Sequence, residues 1–200
     1  MKASRRTQAD RTAATRAALI SAGRKLFAEH GFAGVGTETL VREAGVSRGA
    51  LYHQFGDKTE LFAEVLADVE DTVTQRLVAA MPTGGDDLVA VMTGALTAWL
   101  EACEDPAVRQ IVLLDGPSVL GWARWRAICQ PHILGLIQSV LAQAAEDGVL
   151  PSLPVRPLAH ILLAVADEAA LYVNAAEDQA VAQEEITQIV GVLVRGLVVS

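Results

Sequence analysis

The segment Thr37–Lys58, TETLVREAGVSRGALYHQFGDK, decides the reading of this chain. Thr37 reads as the N-cap of a short helix running to Ala44, in which Leu40, Val41 and Ala44 share one face. Gly45-Val46-Ser47 breaks that helix, and Ser47 is placed to cap a second one ending near Phe55. Two short helices across a tight turn form a helix-turn-helix, whose second helix can enter the DNA major groove. Each residue turns a helix by roughly 100°. Anchoring Leu51 and Phe55 in a core therefore turns Gly49 and His53 outward, with Ala50 and Tyr52 flanking them and Arg48 in the first turn.

Each outward residue suits a phosphate-lined groove. Gly49 removes a side chain where the helix must approach DNA closely. Arg48 offers a fork that reads guanine or grips phosphate, and His53 serves either contact more weakly. Tyr52 presents a hydroxyl to the backbone. Lys58 adds positive charge at the opening of the next helix, where free N–H groups already favour an anion, and Thr37 stands at the same place on the first. An ordinary core hairpin gives no reason for Arg48, Gly49, Tyr52 and His53 to share one outer surface.

Working outward, helical periodicity begins near Thr12, with Leu19, Ile20, Gly23, Leu26 and Phe27 on one face, and ends at His30-Gly31. Residues 1–11 read as a polar, basic, mobile tail without a secretory h-region. After Gly56, Asp57 and Glu60 have the spacing of a capping box. A long helix over 57–80 follows, with Leu61, Phe62, Val65, Leu66, Val69, Val73 and Leu77 as its stripe. The units are thus a tail (1–11), a DNA-binding head (12–56), a connecting helix (57–80) and a larger body (81–200). Met81-Pro82-Thr83-Gly84-Gly85 marks the break. Further helices are predicted over 86–104, 106–114, 118–145, 155–176 and 179–198, with Pro131 kinking or splitting the third of these. No strand pattern competes, so the fold class is all-α.

Charge follows the same division. The chain carries a formal net charge of −8. Residues 1–60 hold ten Lys or Arg against six Asp or Glu, whereas residues 61–200 hold six against eighteen. A basic head neutralises phosphate, and an acidic body limits non-specific adhesion. Apolar residues make up 52% of the chain and aromatics only 4%, which suits helices packed through Ala, Leu and Val. Cys103 and Cys129 stand apart, with no metal-ligand spacing, and read as buried reduced thiols. Neither a metal nor a cofactor is implied. The longest uncharged stretch, 127–145, is too polar for a membrane span, and the expected location is the cytoplasm.

The run Val46-Ser47-x-Gly49-x-Leu51-Tyr52-x-x-Phe55-x-x-Lys58 follows a helix ending Leu26-Phe27-Ala28-Glu29-His30-Gly31-Phe32. Together they resemble the TetR family of bacterial regulators. The resemblance is specific over residues 14–74 and architectural beyond. It implies a three-helix DNA-binding head with a helical ligand-binding and dimerisation body. It also implies phosphate contacts from Thr37, Tyr52 and Lys58 and base contacts from Arg48, Ala50 and His53, with Ser47 opening the recognition helix. Gln54 stands where members often carry His. The implied activity is transcriptional repression from a palindromic operator, relieved by an unidentified small molecule. The implied partners are double-stranded DNA, that effector and a second copy of the chain.

In the body, Met92, Leu96, Trp99, Cys103, Trp122 and Trp125 are candidates to line an apolar effector pocket. Asp115, before Gly116-Pro117, is a candidate to cap the next helix or to orient a ligand, the cap being favoured. Leu158, Leu162, Val165, Ala169 and Val173 form one long stripe, and Ile186, Ile189, Val190, Leu193 and Leu197 form another. The two suit a four-helix dimer interface. The absence of HExxH, GxSxG and glycine-rich phosphate loops argues against an enzyme. The remaining alternative is a small-molecule-binding or interaction protein that keeps the helix-turn-helix only as scaffold.

Overall fold

Residues 8–80 and 87–198 of a computed structural model are described below; among them the chain forms ten α-helices, one π-helical segment and no strand. The head consists of α1 (Gln8–Gly34), α2 (Thr37–Ala44) and α3 (Arg48–Phe55). The long α4 (Lys58–Ala80) runs from beneath the head into the body. Residues 1–7 of the expected tail, and the expected break at 81–85, lie outside the described residues. Helix α1 is already formed at Gln8, the first described residue and ahead of Thr12, with Thr12 Oγ1 donating to Gln8 O at 3.0 Å.

The head closes on Leu19, Phe27, Leu40, Leu51 and Phe62, all fully buried. Phe62 packs edge-on to Phe27 and Phe32, with ring centroids 5.3 and 5.2 Å apart. Gly45 ends α2 at φ 65°, a left-handed conformation that costs glycine least, and its N–H reaches Arg42 O and Val41 O. The cap at the start of α2 differs from expectation. Gly36 occupies the N-cap without a side-chain bond, and Thr37 is the first helical residue. Ser47 caps α3 as expected, Oγ accepting from Ala50 N at 3.2 Å. Half of the capping box on α4 forms: Asp57 accepts from Glu60 N at 2.8 Å, while the Glu60 carboxylate turns elsewhere.

The body comprises α5 (Leu88–Ala102), a π-helix (Val108–Asp115), α6 (Gly116–Leu120), α7 (Trp122–Cys129), α8 (Ile133–Glu146), α9 (Val155–Ala175) and α10 (Gln179–Arg195). The helix expected over 118–145 is interrupted twice. Gly121, at φ 74°, separates α6 from α7, and Pro131 lies in the break between α7 and α8. One helix among the described residues, α9, is long and apolar enough to cross a membrane by length and composition. Its apolarity has another use here, because α9 packs against α5, α8 and α10 while carrying Arg156, Asp167 and Glu168.

Candidate nucleic-acid interface and ligand cavity

With Leu51 and Phe55 buried, α3 turns Arg48, Gly49, Tyr52 and His53 to solvent, and Ala50 is half-buried. Arg48 is already engaged. Its Nη1 donates to Glu38 Oε1 at 3.1 Å and its Nη2 to the Tyr52 hydroxyl at 3.3 Å. Both contacts hold its pKa above the ordinary value, the Tyr52 hydrogen bond most of all. Glu38 was not among the sequence candidates, although its position one residue into α2 places a carboxylate within reach of α3. Thr37 is half-buried beside it.

Lys58 departs from expectation. Its Nζ donates to Phe32 O and Val35 O, both at 2.9 Å, and lies 3.9 Å from the centre of the Phe32 ring. Two of its three protons therefore serve the end of α1, and partial burial lowers its pKa. Asp115 departs as well. Its carboxylate caps no helix; Oδ2 accepts from Phe32 N at 2.7 Å, just past the bend in α1 at Gly31. Glu60, freed from its capping role, binds Arg124 of α7 through both oxygens, at 2.8 and 2.6 Å. The head is thus fastened to the start of α4 by Lys58 and to the body by Asp115, and α4 is fastened to α7 by Glu60.

A cavity of about 60 Å³ lies inside the body among α4, α5, α8, α9 and α10. Leu77, Met92, Leu96, Trp99, Ile133, Ile137, Leu162, Ala166 and Val190 are among its lining residues. Of the sequence candidates, Met92, Leu96 and Trp99 line this cavity. The other three do not. Cys103 is fully buried in the core and Trp125 is buried against α6, while Trp122 is 64% exposed and stacks on His160. Their spacing located a helix face but could not say which helix that face meets. The α8 and α9 lining was missed, although Ile133, Ile137 and Val140 form a visible i, i+4, i+7 stripe.

Beside the cavity is a buried polar cluster that the sequence did not reveal. Glu70 of α4 is 2% exposed, and its Oε1 accepts from Cys129 Sγ at 3.1 Å. Burial pushes the Glu70 carboxyl up to about 7, against the opposing pull of its hydrogen bonds from Cys129 and the Ile133 backbone. Arg126 Nη2 binds Asp167 Oδ2 at 3.1 Å, and burial carries that carboxyl up to about 6. Burial likewise pushes both thiols, Cys103 and Cys129, well above their ordinary range. Among the described residues no group of three or more His, Cys, Asp or Glu is placed to hold a metal ion.

The stripes on α9 and α10 divide between two directions. Ile189 and Leu193 are exposed, and Leu158, Ile186 and Leu197 are half-buried. Leu162, Val165 and Val190 line the cavity, and Ala169 and Val173 are buried within the chain. Both helices are apolar on two faces, so periodicity alone does not separate the inward face from the outward one. Ile161 and Tyr172, exposed on the same side as Ile189 and Leu193, were not among the candidates.

Comparison with known proteins places this architecture. Residues 19–65 match the family described as bacterial regulatory proteins, tetR family. Residues 89–197 match the tetracyclin repressor-like C-terminal domain. The HTH-type transcriptional repressor AcnR of Corynebacterium efficiens is 37% identical over 91 residues, 44% of this chain, and the chain spans 43% of that relative's length. The HTH-type transcriptional regulator LmrA of Bacillus subtilis is 28% identical over 147 residues, covering 73% of this chain and 63% of the relative. A solved TetR-family transcriptional regulator from Pectobacterium atrosepticum superposes with a TM-score of 0.77 at 31% identity, over 98% of this chain and 99% of that one.

Proposed function

Because the chain belongs to the TetR family of bacterial regulatory proteins, we propose that it is a dimeric, sequence-specific DNA-binding repressor, released from a near-palindromic operator by a hydrophobic small molecule. The observation that carries this reading is the outer face of α3. A short helix capped by Ser47 keeps Arg48, Gly49, Tyr52 and His53 in solvent, beyond any use in the core. In the DNA complex Arg48 exchanges Glu38 for a base edge or phosphate, and Tyr52 turns its hydroxyl to the backbone. The two α3 helices of a dimer lie about one DNA turn, ~34 Å, apart. The exposed apolar sides of α9 and α10 form the dimer seam. The site of action is the cytoplasm, where the DNA lies.

The effector occupies the apolar cavity. Leu77 of α4 is in its wall, and the same helix carries Lys58 and Glu60 at the head end. A ligand that favours one position of α4 over another thereby changes the separation of the two heads. It releases DNA only by the difference in its affinity for the two positions.

Electrophoretic mobility shift with the promoter region of its own gene tests this. Binding is expected to be lost in the Arg48→Ala/Tyr52→Ala double variant. Binding that survives both substitutions would assign the helix-turn-helix a scaffold role and favour an interaction protein.

A further inference from the structure

The surface that carries Arg48, Tyr52 and His53 also carries a carboxylate. Glu38 lies one residue into α2 and reaches across to Arg48, the first residue of α3, Oε1 accepting from Nη1 at 3.1 Å. The Tyr52 hydroxyl meets Nη2 of the same guanidinium at 3.3 Å and so fixes its orientation. Arg48 and Glu38 are both more than half exposed. The chain leaves the neighbouring position open: its chain neighbours aside, a Cβ on Gly49 would meet no atom nearer than Ser47 Oγ at 3.9 Å. Nearby carboxylates are turned to other helices. Glu43 pairs with Lys25 of α1 at 2.7 Å, and Glu60 with Arg124 of α7.

A carboxylate on this face is repelled by phosphate and weakens binding to any duplex unless the DNA offers it a donor. In the major groove the donors are amino groups, cytosine N4 and adenine N6. The pairing with Arg48 selects between them. Arg48 Nη1 and Glu38 Oε1 set a donor and an acceptor side by side. In a G·C pair, guanine O6 and cytosine N4 stand side by side with the opposite sense, ~2.9 Å apart, the length of the hydrogen bond that joins them. Each member of the ion pair can therefore exchange its partner for one base: Arg48 donates to guanine N7 and O6, and Glu38 accepts from cytosine N4. An A·T pair places the adenine amino group between its two acceptors, so a fork that needs adjacent acceptors finds none. Opening the ion pair costs little, because both groups are exposed. Away from a G·C pair, the released Glu38 has no donor to turn to.

We propose that Glu38 is a specificity-determining residue of the DNA contact, its carboxylate accepting from the N4 amino group of the cytosine whose paired guanine is read by Arg48. This rests on α3 being the DNA-recognition helix. Glu38 then acts on the choice among sequences rather than on affinity for DNA as such.

Fluorescence anisotropy of the full-length protein at one fixed salt concentration tests the proposal on two duplexes of equal length. One is the sequence that the native protein enriches from a randomised duplex pool, and the other is a scrambled version of it. Glu38→Ala is expected to lower the ratio of the two affinities about tenfold, the share of one base contact. Affinities that rise together and leave the ratio unchanged would mean that the carboxylate only repels phosphate. Affinities unchanged on both duplexes would remove Glu38 from the interface. Either result overturns the proposal. N4-methylcytosine, placed at one cytosine at a time in the enriched duplex, removes the amino hydrogen that points into the groove. At one cytosine in each half-site it is expected to weaken the native protein about tenfold and Glu38→Ala by about twofold at most. A methyl group that weakens both proteins alike, or none that weakens the native one, overturns the cytosine contact. A native protein that enriches no sequence refutes the recognition-helix reading and the proposal with it, whereas a preference kept in full by Glu38→Ala refutes the role of Glu38 alone.

Discussion

Glu70→Gln removes a titratable group from the middle of the body while keeping its shape and an acceptor for Cys129 and the Ile133 N–H. Burial carries the Glu70 carboxyl from 4.5 to about 7, a gap worth on the order of 3 kcal/mol. The folded chain holds this proton more tightly than the unfolded one. The associated stability is therefore fully present below pH 4.5, falls as pH rises through the window, and is gone above about pH 7. Asp167, carried up to about 6, contributes with the same sign in both proteins and largely cancels in the comparison. Denaturant unfolding at pH 5 and pH 8, at one fixed protein concentration, reads the effect. The native protein is expected to lose about 2–3 kcal/mol more than Glu70→Gln between the two. Parallel losses would mean that Glu70 ionises normally inside the fold, and the buried cluster as described would be wrong.

Arg48→Ala is expected to weaken operator binding about 10- to 100-fold, the discrimination of one base contact, in fluorescence anisotropy at fixed salt; unchanged affinity would remove Arg48 from the interface. Gly116→Ala places a Cβ 2.9 Å from both Leu66 Cδ1 and Trp125 Nε1, where α6 meets α4 and α7. Overpacking there is expected to cost about 1–3 kcal/mol in denaturant unfolding, and a neutral result would show slack in that joint. Leu193→Glu, at an exposed position on α10, is expected to convert the dimer to a monomer in light scattering. A dimer that persists would place the seam elsewhere.

The head was legible because local rules decide it. Ser47 has to cap, Gly45 has to turn left-handed, and Leu51 with Phe55 leaves one possible outer face on a helix of eight residues. The body was legible only as a set of helices. Trp122 and Trp125 are three apart and share a helix face in any projection, yet one is 64% exposed and the other buried. The difference lies in what α7 packs against, and nothing in its own sequence states that. Val190 and Ile189 are adjacent and equally apolar, but one lines the cavity and the other faces solvent. Glu70 was hidden for a related reason. In an otherwise apolar stripe from Leu61 to Leu77, a lone carboxylate reads as solvated, and only the approach of Cys129, 59 residues later, shows that it is enclosed.

Three polar side chains that the sequence reads in local terms join head to body in the fold. Lys58 reads as a phosphate ligand, Asp115 as a cap or a ligand-orienting group and Glu60 as half of a capping box. In the fold Lys58 and Asp115 converge on the bend at the end of α1, on Phe32 O and Phe32 N, 2.9 and 2.7 Å away. Glu60 ties the same end of α4 to α7. Exposed ion pairs such as Glu60–Arg124 contribute little to stability on their own. Their value here is geometric. They link the head to α4 and α7, which meet the buried cluster through Glu70 and Cys129. If a displacement of α4 is passed to the head through these contacts, Glu60→Gln is expected to reduce the effect of an effector on operator affinity in fluorescence anisotropy, and an undiminished effect would refute that route.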